Sequence, residues 1–338
     1  MYLKMRSELQ IFPKSGGQLI LGGINQPGAI QEIEIEQSVS DMNDKCTVTI
    51  PRNIKAFNGK SIRDYLTPGD RAYVYFGYDH LIQEFSGYIL DVPATAPMTL
   101  ELADEFYPLR HNTNTKSYPA VTLKQLLNDI APGYKVVCPT VNLGKWVIDK
   151  SSTYQELKKI SEKYWLHSYL VNGTLYCQFR YDVRGISPFN HTYYLCDDRT
   201  GKTAKLLGSV RSNDLKYKRL DAIDISVEVY SSPAKGKKIK AVAGSKIKGA
   251  NLNKLYLPGG VSLKDAQQVA DKIFNSISFD GFRGSITGYG VPRTNAGDSL
   301  TLIDFDYPDL NGTYLIEKVK KKYSDKGIER ENTLNYKI

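Results

Sequence analysis

The sequence is poor in the residues from which metal centres and disulfide frameworks are built. It has four cysteines and four histidines in 338 residues, with no Cys-x-x-Cys pair and no cysteines interleaved with histidine. Neither a zinc site nor a set of disulfides is therefore expected. We predict that the cysteines are buried thiols in a reducing compartment: Cys46, Cys138, Cys177 and Cys196.

The usual local signatures of hydrolases and nucleotide-binding enzymes are also missing. The chain contains no HExxH, no GxSxG and no Walker-type GxxxxGK(S/T) motif. Gly288-Tyr289-Gly290 resembles the start of a nucleotide loop, but Arg293 stands where the last glycine of GxGxxG belongs. We expect neither a catalytic centre nor a cofactor.

Isolated acids and histidines offer weak alternatives. Asp104 and Glu105 are adjacent carboxylates of the type used in sugar hydrolysis, but neighbours on a strand point to opposite faces, so a solvated turn is favoured. The histidines lie singly, without an i, i+4 pair, which favours packing or surface roles over metal binding. They are His80, His111, His167 and His191.

Long apolar runs are absent as well. The start, MYLKMRSELQIF, has no apolar core followed by a small-residue cleavage site. No stretch approaches the roughly 20 apolar residues that cross a bilayer. We expect the chain to be made and kept in the cytosol.

The sequence is rich in the alternating pattern of β-strands. In QEIEIEQ, Ile33 and Ile35 point one way while Glu32, Glu34 and Glu36 point the other. Tyrosine, with 24 copies, suits half-buried strands and contacts. The chain is therefore predicted to be mainly β.

Helical periodicity interrupts this pattern in the middle of the chain. One helix has Thr122 and Gln125 as its capping box and one apolar face. A second helix is predicted over 154–164, with Thr153 and Glu156 as its box. The apolar face of the first helix comprises Leu123, Leu126, Leu127 and Ile130.

Strands return in the last part of the chain. In AIDISVEVY, Ile225, Val227 and Val229 share a face, and a helix capped by Ser262 with Asp265 precedes four more strand-like runs. These runs are GSITGYGV, GDSLTLIDF, GTYLIEKV and ENTLNYKI.

Together these patterns predict a mainly β fold with an α+β insert, in three domains. A first antiparallel β-barrel would occupy residues 1–108, and a helix-and-hairpin insert residues 109–195. A second barrel would occupy residues 196–338, with a lysine-rich loop at 233–254 and a helix at 262–279; the family resemblance given below implies that both barrels are tube-like.

The two β-rich ends share a loose internal repeat. Gly-Asp opens a strand in both, and a later strand returns with Gly and Tyr; an acidic-faced strand, around Ile33 or Ile225, precedes each. Two equivalent barrels per chain would let a ring of few chains present twice as many similar faces. The repeated elements are Gly69-Asp70 with Gly87-Tyr88 and Gly297-Asp298 with Gly312-Thr313-Tyr314.

The strongest charge feature is a run of lysines between residues 233 and 254, in a chain of net charge +9. It has no acidic residue, so it could line a channel for DNA or dock on an acidic neighbouring ring. A flexible solvated loop is an equally good interpretation. The lysines are Lys235, Lys237, Lys238, Lys240, Lys246, Lys248 and Lys254.

Most of the chain resembles a known family. The stretches EIEIEQSVSDMNDKCTVTIPRN, TPGDRAYVYFGYDHLIQEFSGYILDV and LELADEFYPLR are similar to the first tube domain of phage tail baseplate hub proteins. STYQELKKISEKYWLHSYLVNGTLYCQF resembles their insert, and SLKDAQQVADKIFN with the runs after it resembles the end of their second tube domain. The family includes the late control D proteins of contractile phages and the hub part of type VI secretion spike proteins.

This resemblance implies a structural role. A homotrimer would form a pseudo-hexameric ring between the sixfold tail tube above and a separate threefold spike or needle below. The ring would contact other baseplate proteins and leave a lumen for non-specific passage of DNA or effector. Assembly would take place in the bacterial cytoplasm, and the product would lie in a virion tail baseplate or an injection-system particle.

Two further expectations complete this interpretation. Strands near Ile33, Val74, Ile225 and Leu302 are expected to be edges that close the ring and pack the core. The alternatives from other classes are a tail-tip cell-wall hydrolase, either glycosidase or peptidase, and a carbohydrate-binding receptor module.

Overall fold

The computed structural model of the chain describes residues 4–24, 28–51, 65–93, 97–164, 166–171, 173–179, 187, 189–196, 208–219, 225–231, 238–244, 251–257 and 261–338. The described chain is mainly β, with large antiparallel sheets and few helices, which confirms the predicted fold class. No helix among these residues is long and apolar enough to cross a membrane.

The elements follow one another in three stretches. The first holds β1 (Met5–Phe12), β2 (Leu19–Gly22), β3 (Glu32–Ser38), β4 (Lys45–Ile50), β5 (Arg71–Tyr78), β6 (Ile82–Asp91) and β7 (Met98–Ala103). The second holds α1 (Tyr107–His111), β8 (Asn114–Thr122), α2 (Leu123–Ile130), β9 (Lys135–Val137), β10 (Asn142–Ser151), α3 (Thr153–Tyr164), β11 (Leu166–Val171) and β12 (Thr174–Phe179). The third holds β13 (Asn190–Tyr194), β14 (Val210–Asn213), β15 (Lys216–Lys218), β16 (Ile225–Ser231), β17 (Ile239–Gly244), β18 (Asn251–Leu257), α4 (Leu263–Ile277), β19 (Gly281–Arg283), β20 (Ser285–Tyr289), β21 (Ser299–Ile303), β22 (Gly312–Ser324) and β23 (Gly327–Lys337).

The chain divides into two compact units. Unit 1 comprises residues 1–107, 189–215 and 284–334, and unit 2 comprises residues 108–188, 216–283 and 335–338. The division into three domains at residues 108 and 195 stays a prediction.

Unit 1 is built on one sheet of 13 described strands. Its main path runs β14-β20-β23-β22-β3-β4-β7-β6-β5-β1-β2, and β13 and β21 branch from β22. Alternate residues along these strands are buried, as the sequence pattern predicts: Ile33, Ile35, Val48, Val74 and Ile89 are fully buried. The apolar faces of β1 to β7 thus form one continuous core.

Unit 2 combines small sheets with helices. Its strands pair as β10-β8, β11-β12-β9, β15-β19 and β17-β16-β18. Helix α4 buries Ala266, Ala270 and Ile273 against Val227 and Val229 of β16. The amphipathic pattern of α4 and the alternation of β16 therefore meet in one core.

The helix caps confirm most of the predicted starts. Thr122 and Gln125 form the predicted capping box of α2, and Ser262 accepts the N–H of Asp265 at the start of α4. At α3 the predicted box is wrong by one position, because Ser152 exchanges hydrogen bonds with Gln155.

Glu156 has another role than the predicted cap. Its buried carboxylate accepts the indole N–H of Trp146 at 2.8 Å and pairs with Lys159 at 2.6 Å. It therefore links α3 to β10.

The prediction of buried thiols holds for half of the cysteines. Cys46 and Cys177 are buried, while Cys138 and Cys196 are only partly buried. Burial raises the pKa of Cys177 to about 12 and raises that of Cys46 further.

Candidate assembly interface

The seam between β22 and β3 joins the C-terminal and N-terminal strands of unit 1. The two strands are antiparallel, and Lys318 to Tyr323 of β22 face Ser38 to Ile33 of β3. Strands from opposite ends of the chain therefore form one continuous sheet.

The outer face of this seam is a ladder of opposite charges. Lysine occupies every second position of this part of β22, and glutamate occupies every second position of β3. Because every second residue of a strand points to the same side of the sheet, the lysines and glutamates meet on one face. The ion pairs are Lys318–Glu36 at 3.0 Å, Lys320–Glu34 at 3.7 Å, Lys320–Glu36 at 4.0 Å, Lys322–Glu34 at 3.1 Å and Lys322–Glu32. These side chains are partly exposed, so each pair is worth about 0–1 kcal/mol, and the ladder mainly fixes which strands meet and in which register.

The inner face near the seam holds a buried charge cluster around Glu84 of β6. Its carboxylate contacts Lys321 of β22 at 3.0 Å, Arg330 of β23 at 2.6 Å and Arg293 at 2.9 Å. Glu84, Lys321 and Arg330 are at most 2% exposed. Lys321 also donates to Asn295 at 2.7 Å.

One carboxylate thus faces three cations. Burial opposes ionisation of Glu84, but the charges of Lys321, Arg330 and Arg293 outweigh it and lower its pKa to about 2. Burial lowers the pKa of Lys321 to about 8, with Glu84 opposing this change. The cluster connects strands that are far apart in sequence, and its integrity depends on Glu84 remaining charged.

This cluster is not predicted from the sequence, although the strand pattern carries one signal of it. In KVKKKYS, Lys318, Lys320 and Lys322 alternate outward, which places Lys321 on the inward side with Val319. In the same way Arg330 occupies an inward position of β23. A charge at an inward position needs a buried partner, but the pattern does not reveal which carboxylate supplies it.

The predicted internal repeat is visible in two matching corners. Gly69 and Gly297 have positive φ of 87° and 91°, a conformation that favours glycine. Gly69 donates to the carbonyl of Ile89 at 2.7 Å, and Gly297 donates to that of Ile316 at 2.9 Å. The N–H of each isoleucine in turn donates to the carbonyl of the aspartate after the glycine, at 2.8 Å in the first corner and 2.9 Å in the second.

The corner aspartates also share one side-chain contact, although Asp70 accepts a second backbone N–H, that of Lys14, at 2.8 Å. Asp70 accepts the N–H of Thr67 at 2.8 Å, and Asp298 accepts the N–H of Asn295 at 2.8 Å. Asp70 is 0% exposed and Asp298 is 1% exposed. Asp298 also lies 2.9 Å from Nε2 of His191.

The strand order around the corners repeats as well. The first copy runs β3-β4-β7-β6-β5-β1, and the second runs β14-β20-β23-β22-β21-β13. Corresponding neighbours are antiparallel, except that β13 is parallel to β21 whereas β1 is antiparallel to β5. Unit 1 therefore holds two copies of one six-strand arrangement.

Two details of the predicted repeat are wrong. The strand with Ile225 is β16, which lies in a three-stranded sheet of unit 2, and β14 is the counterpart of β3. The two returning glycines also do not occupy equivalent positions. Gly87, opposite Ala72, lies two positions before Ile89 of the first corner, whereas Gly312, opposite Leu302, lies four positions before Ile316 of the second. Both assignments are wrong because short strands with the same alternation look alike in sequence.

The four strands expected to be edges are central ones. β3 lies between β22 and β4, β5 between β1 and β6, β16 between β17 and β18, and β21 between β13 and β22. Ile33, Val74 and Leu302 are fully buried, which confirms their core role, and Ile225 is partly buried. Their hydrogen-bonding edges are used within the chain, so the expectation that they close a ring is wrong.

The lysine-rich segment is only partly within the described residues. Lys240 lies on β17 and Lys254 on β18, so the predicted loop is partly strand; Lys238 precedes β17. Lys240 pairs with Glu228 at 2.6 Å, and all three lysines are exposed. The other lysines predicted to line a channel or contact a partner lie outside the described residues: Lys235, Lys237, Lys246 and Lys248.

The weak catalytic candidates have structural partners. Asp104 is buried, not solvated as predicted, and accepts the backbone N–H groups of Asp44 and Phe106. Glu105 forms a two-pronged ion pair with Arg71, at 2.5 and 2.7 Å. The two adjacent acids therefore serve different neighbours.

The histidines are likewise not gathered at one place. His167 is buried in β11, His191 contacts Asp298, and His111 ends α1. His80 lies in the turn between β5 and β6.

Three residues with metal-ligand-type atoms lie close together in unit 1. Ligand atoms of Cys196, Asp304 and Asp306 lie within 4.8 Å of one another. Asp304 already accepts the N–H groups of Asp306 and Tyr307, as an acid in a turn commonly does.

Asp44 supplies a pH-dependent contact next to the seam. Its carboxylate accepts the N–H of Ser38, the last residue of β3, at 3.1 Å. Burial, and next the nearby carboxylate of Asp104, raise the pKa of Asp44 to about 7. Between about pH 4 and pH 7, the native protein therefore keeps a proton on Asp44 that the unfolded chain has already released.

Asp44→Asn is expected to stabilise the protein at pH 8, by on the order of 1–2 kcal/mol, and to have little effect at pH 4. The raised native pKa gives a contribution that is present below about 3.8, the ordinary value, and lost as the pH rises through about 7. Asparagine keeps the acceptor for Ser38 without the charge. Urea unfolding at both pH values measures this, with the exposed Asp41→Asn as control; equal effects of Asp44→Asn at the two pH values would contradict it.

Comparison with known proteins gives a consistent result for the fold. No protein-family model matches the chain, and no curated protein matches it in sequence. Among solved structures, a tail protein from Neisseria meningitidis MC58 has a TM-score of 0.64 at 16% identity, over 97% of this chain and 96% of that one. The 43 kDa tail protein of prophage MuSo2 from Shewanella oneidensis has a TM-score of 0.61 at 16% identity, over 98% of both chains.

A component of the type VI secretion system is also similar. The E. coli c3393 protein, described as structurally similar to the T4 tail proteins gp27 and gp5, has a TM-score of 0.56 at 9% identity. The match covers 97% of this chain and 76% of that one. Such identities establish the fold alone, and the fold of this chain is that of phage tail and type VI secretion tail proteins.

Proposed function

We propose that the chain is a structural baseplate hub subunit, of which three copies form a pseudo-hexameric ring. The ring joins the sixfold tail tube to the threefold central spike and leaves a lumen for DNA or effector. The partners are two further copies of the chain, the tail tube protein, a separate spike or needle protein and other baseplate proteins. The ring is assembled in the bacterial cytoplasm and works in a virion tail or an injection-system particle.

The observation that carries this proposal is the repeat within unit 1. Two copies of one strand arrangement, each with a Gly-Asp corner, give three chains six similar faces. A sixfold tube and a threefold spike can then meet on one component without a symmetry mismatch. Similarity of fold to phage tail proteins supports the same conclusion.

Among the described residues, no specific contact supports either alternative function. Asp104 and Glu105, the pair considered for sugar hydrolysis, are engaged with different structural neighbours. The surface tyrosines Tyr230 and Tyr256 stack on each other, 5.5 Å apart, which leaves less ring surface for a sugar. The proposal is therefore a positional role without chemistry of its own.

Native mass spectrometry over a range of protein concentrations tests the ring. A trimer that grows with concentration at the expense of the monomer is the expected result. A chain that stays monomeric at the highest concentration, or that forms only dimers, overturns the proposal. Zymography on peptidoglycan, run on the same sample, identifies a hydrolase if clearing appears.

A further inference from the structure

Among the described residues, strand β14 has one edge without a strand partner. Within the described residues it pairs with β20 alone, whereas its counterpart β3 pairs with both β4 and β22. Arg211, Ser212 and Asn213 of β14 are exposed. An open strand edge carries backbone N–H and C=O groups that are free to pair with another strand.

In the part of the chain that the structure describes, the end of β6 also has one edge without a strand partner. Tyr88 pairs with Arg71 of β5 on one edge and with Ala103 of β7 on the other. Because β5 begins directly after the Gly69-Asp70 corner, its pairing with β6 ends at this corner. Among the described residues, only β7 pairs with β6 as far as Asp91. Leu90 and Asp91 are exposed.

In the second copy of the repeat, the strand that corresponds to β6 is paired on the equivalent edge. In β22, the counterpart of β6, the segment before the corner pairs with β21, and the segment after it, from Lys318 to Tyr323, pairs with β3. The backbone of Glu317 also accepts the N–H of Val39. The edge of β22 beyond its corner is thus paired with β3, the strand at the start of the first copy's strand order.

We propose that β14 of one chain pairs antiparallel with the end of β6 of a second chain, in a copy of the seam between β22 and β3. The partner is a second molecule of this protein, and the pairing residues are 90–92 of one chain, up to Pro93, which has no N–H to donate, and 210–213 of its neighbour. Leu90 and Asp91 are exposed in the first segment, and three of the four residues are exposed in the second. On the other edge, β7 pairs with β6 as far as Asp91, and β20 pairs with β14.

The charges at the two seams distinguish the correct partner from a wrong one. Within the chain, β22 supplies lysines and β3 supplies glutamates. Between chains, β6 would supply Asp91 and β14 would supply Arg211, which already pairs with Glu329. Pairing of β22 with β14, or of β6 with β3, would bring like charges together, and like charges across an interface are unfavourable.

This seam makes the contact head-to-tail. Each chain offers one β14 edge and one β6 end, so each added chain leaves one of each until the ring closes. The inference rests on the proposed ring, for which it supplies the contact. Closure by three chains would then alternate internal and intermolecular seams around six repeats.

Cysteine cross-linking tests the contact directly. The variant Asp91→Cys with Ser212→Cys places one thiol on each proposed partner strand, and both positions are exposed. A short bis-maleimide should link neighbouring chains into species of two and three chain masses. The control is Gln18→Cys with Ser212→Cys, because the exposed Gln18 precedes β2 at the other end of the strand path. The unmodified protein and the single variants report background from the natural cysteines.

The expected result is covalent product on the order of tenfold above the control, because paired strands hold the thiols at high effective concentration. Native mass spectrometry of the same samples separates the possible failures. A trimer without cross-links above the control overturns this seam and leaves the ring in place. A monomer at every concentration overturns both proposals, and equal cross-linking of the control pair overturns the seam.

Discussion

Replacing Glu84 by glutamine is expected to lower the free energy of unfolding by about 3–5 kcal/mol, because it leaves buried cations without their counter-charge. Lys321 and Arg330 are buried with Glu84, and Arg293 contacts it from a more exposed position. Glutamine preserves the shape of the side chain, so the loss reports charge and hydrogen bonding more than volume. Urea unfolding followed by far-UV circular dichroism measures the change.

The matched control is Glu34→Gln on the outer face of the seam. Glu34 also contacts two lysines, but its side chain is 34% exposed, so the expected loss is about 0–1 kcal/mol. Similar losses for the two variants would show that burial does not govern the cluster. Hydrogen exchange of the β22 and β23 amides locates the effect, which should be largest near Lys321 and Arg330.

The same residue predicts how acid acts on the protein. The native pKa of Glu84 is lowered to about 2 from an ordinary 4.5, so its stabilising contribution is present above pH 4.5 and is lost as the pH falls towards 2. Glu84→Gln removes this part of the acid sensitivity. The stability difference between the natural protein and the variant should therefore shrink between pH 4.5 and pH 2.

Asp70→Ala and Asp298→Ala are each expected to cost about 2–3 kcal/mol, because each removes the buried carboxylate that accepts a backbone N–H at its corner. The cost at Asp70 should be at the upper end, since Asp70 also accepts the N–H of Lys14. The N–H groups of Thr67 and Asn295 would lose the carboxylates that now accept them at 2.8 Å in both corners. Urea unfolding again supplies the measurement, and Asp309→Ala, at an exposed position of a short turn, is the control.

Asparagine at the two corners refines this test. Asp70→Asn and Asp298→Asn keep an oxygen that can accept one N–H, so each should recover part of the loss seen with alanine. Matching losses and matching recoveries would show that the corners are equivalent. A large loss at one corner with none at the other would show that the repeat is geometric only and that the second corner is held by other contacts.

Local features were the ones that the sequence predicted well. The capping box at Thr122 and the cap at Ser262 depend on residues three positions apart, and strand faces such as Ile33 with Ile35 depend on alternation. Both are decided by the chain's own geometry within one turn or one strand. The Gly-Asp corners were found for the same reason, since the glycine and the aspartate act within one turn.

Long-range pairing was beyond the same reasoning. The only signal in β3 that its second neighbour is β22, nearly 300 residues later, is the match between its glutamates and the lysines of β22. Ile225 was matched to Ile33 because both begin acidic-faced strands, although β16 packs on α4 in unit 2. Alternation determines which face of a strand is buried, and it leaves open which strands meet.

The most direct test of the central claim is imaging of the assembled protein by single-particle electron microscopy. The proposed hub predicts threefold rings with six similar β-rich lobes around a central opening. Class averages that show isolated chains, twofold dimers or rings without the sixfold repetition of lobes would contradict the account.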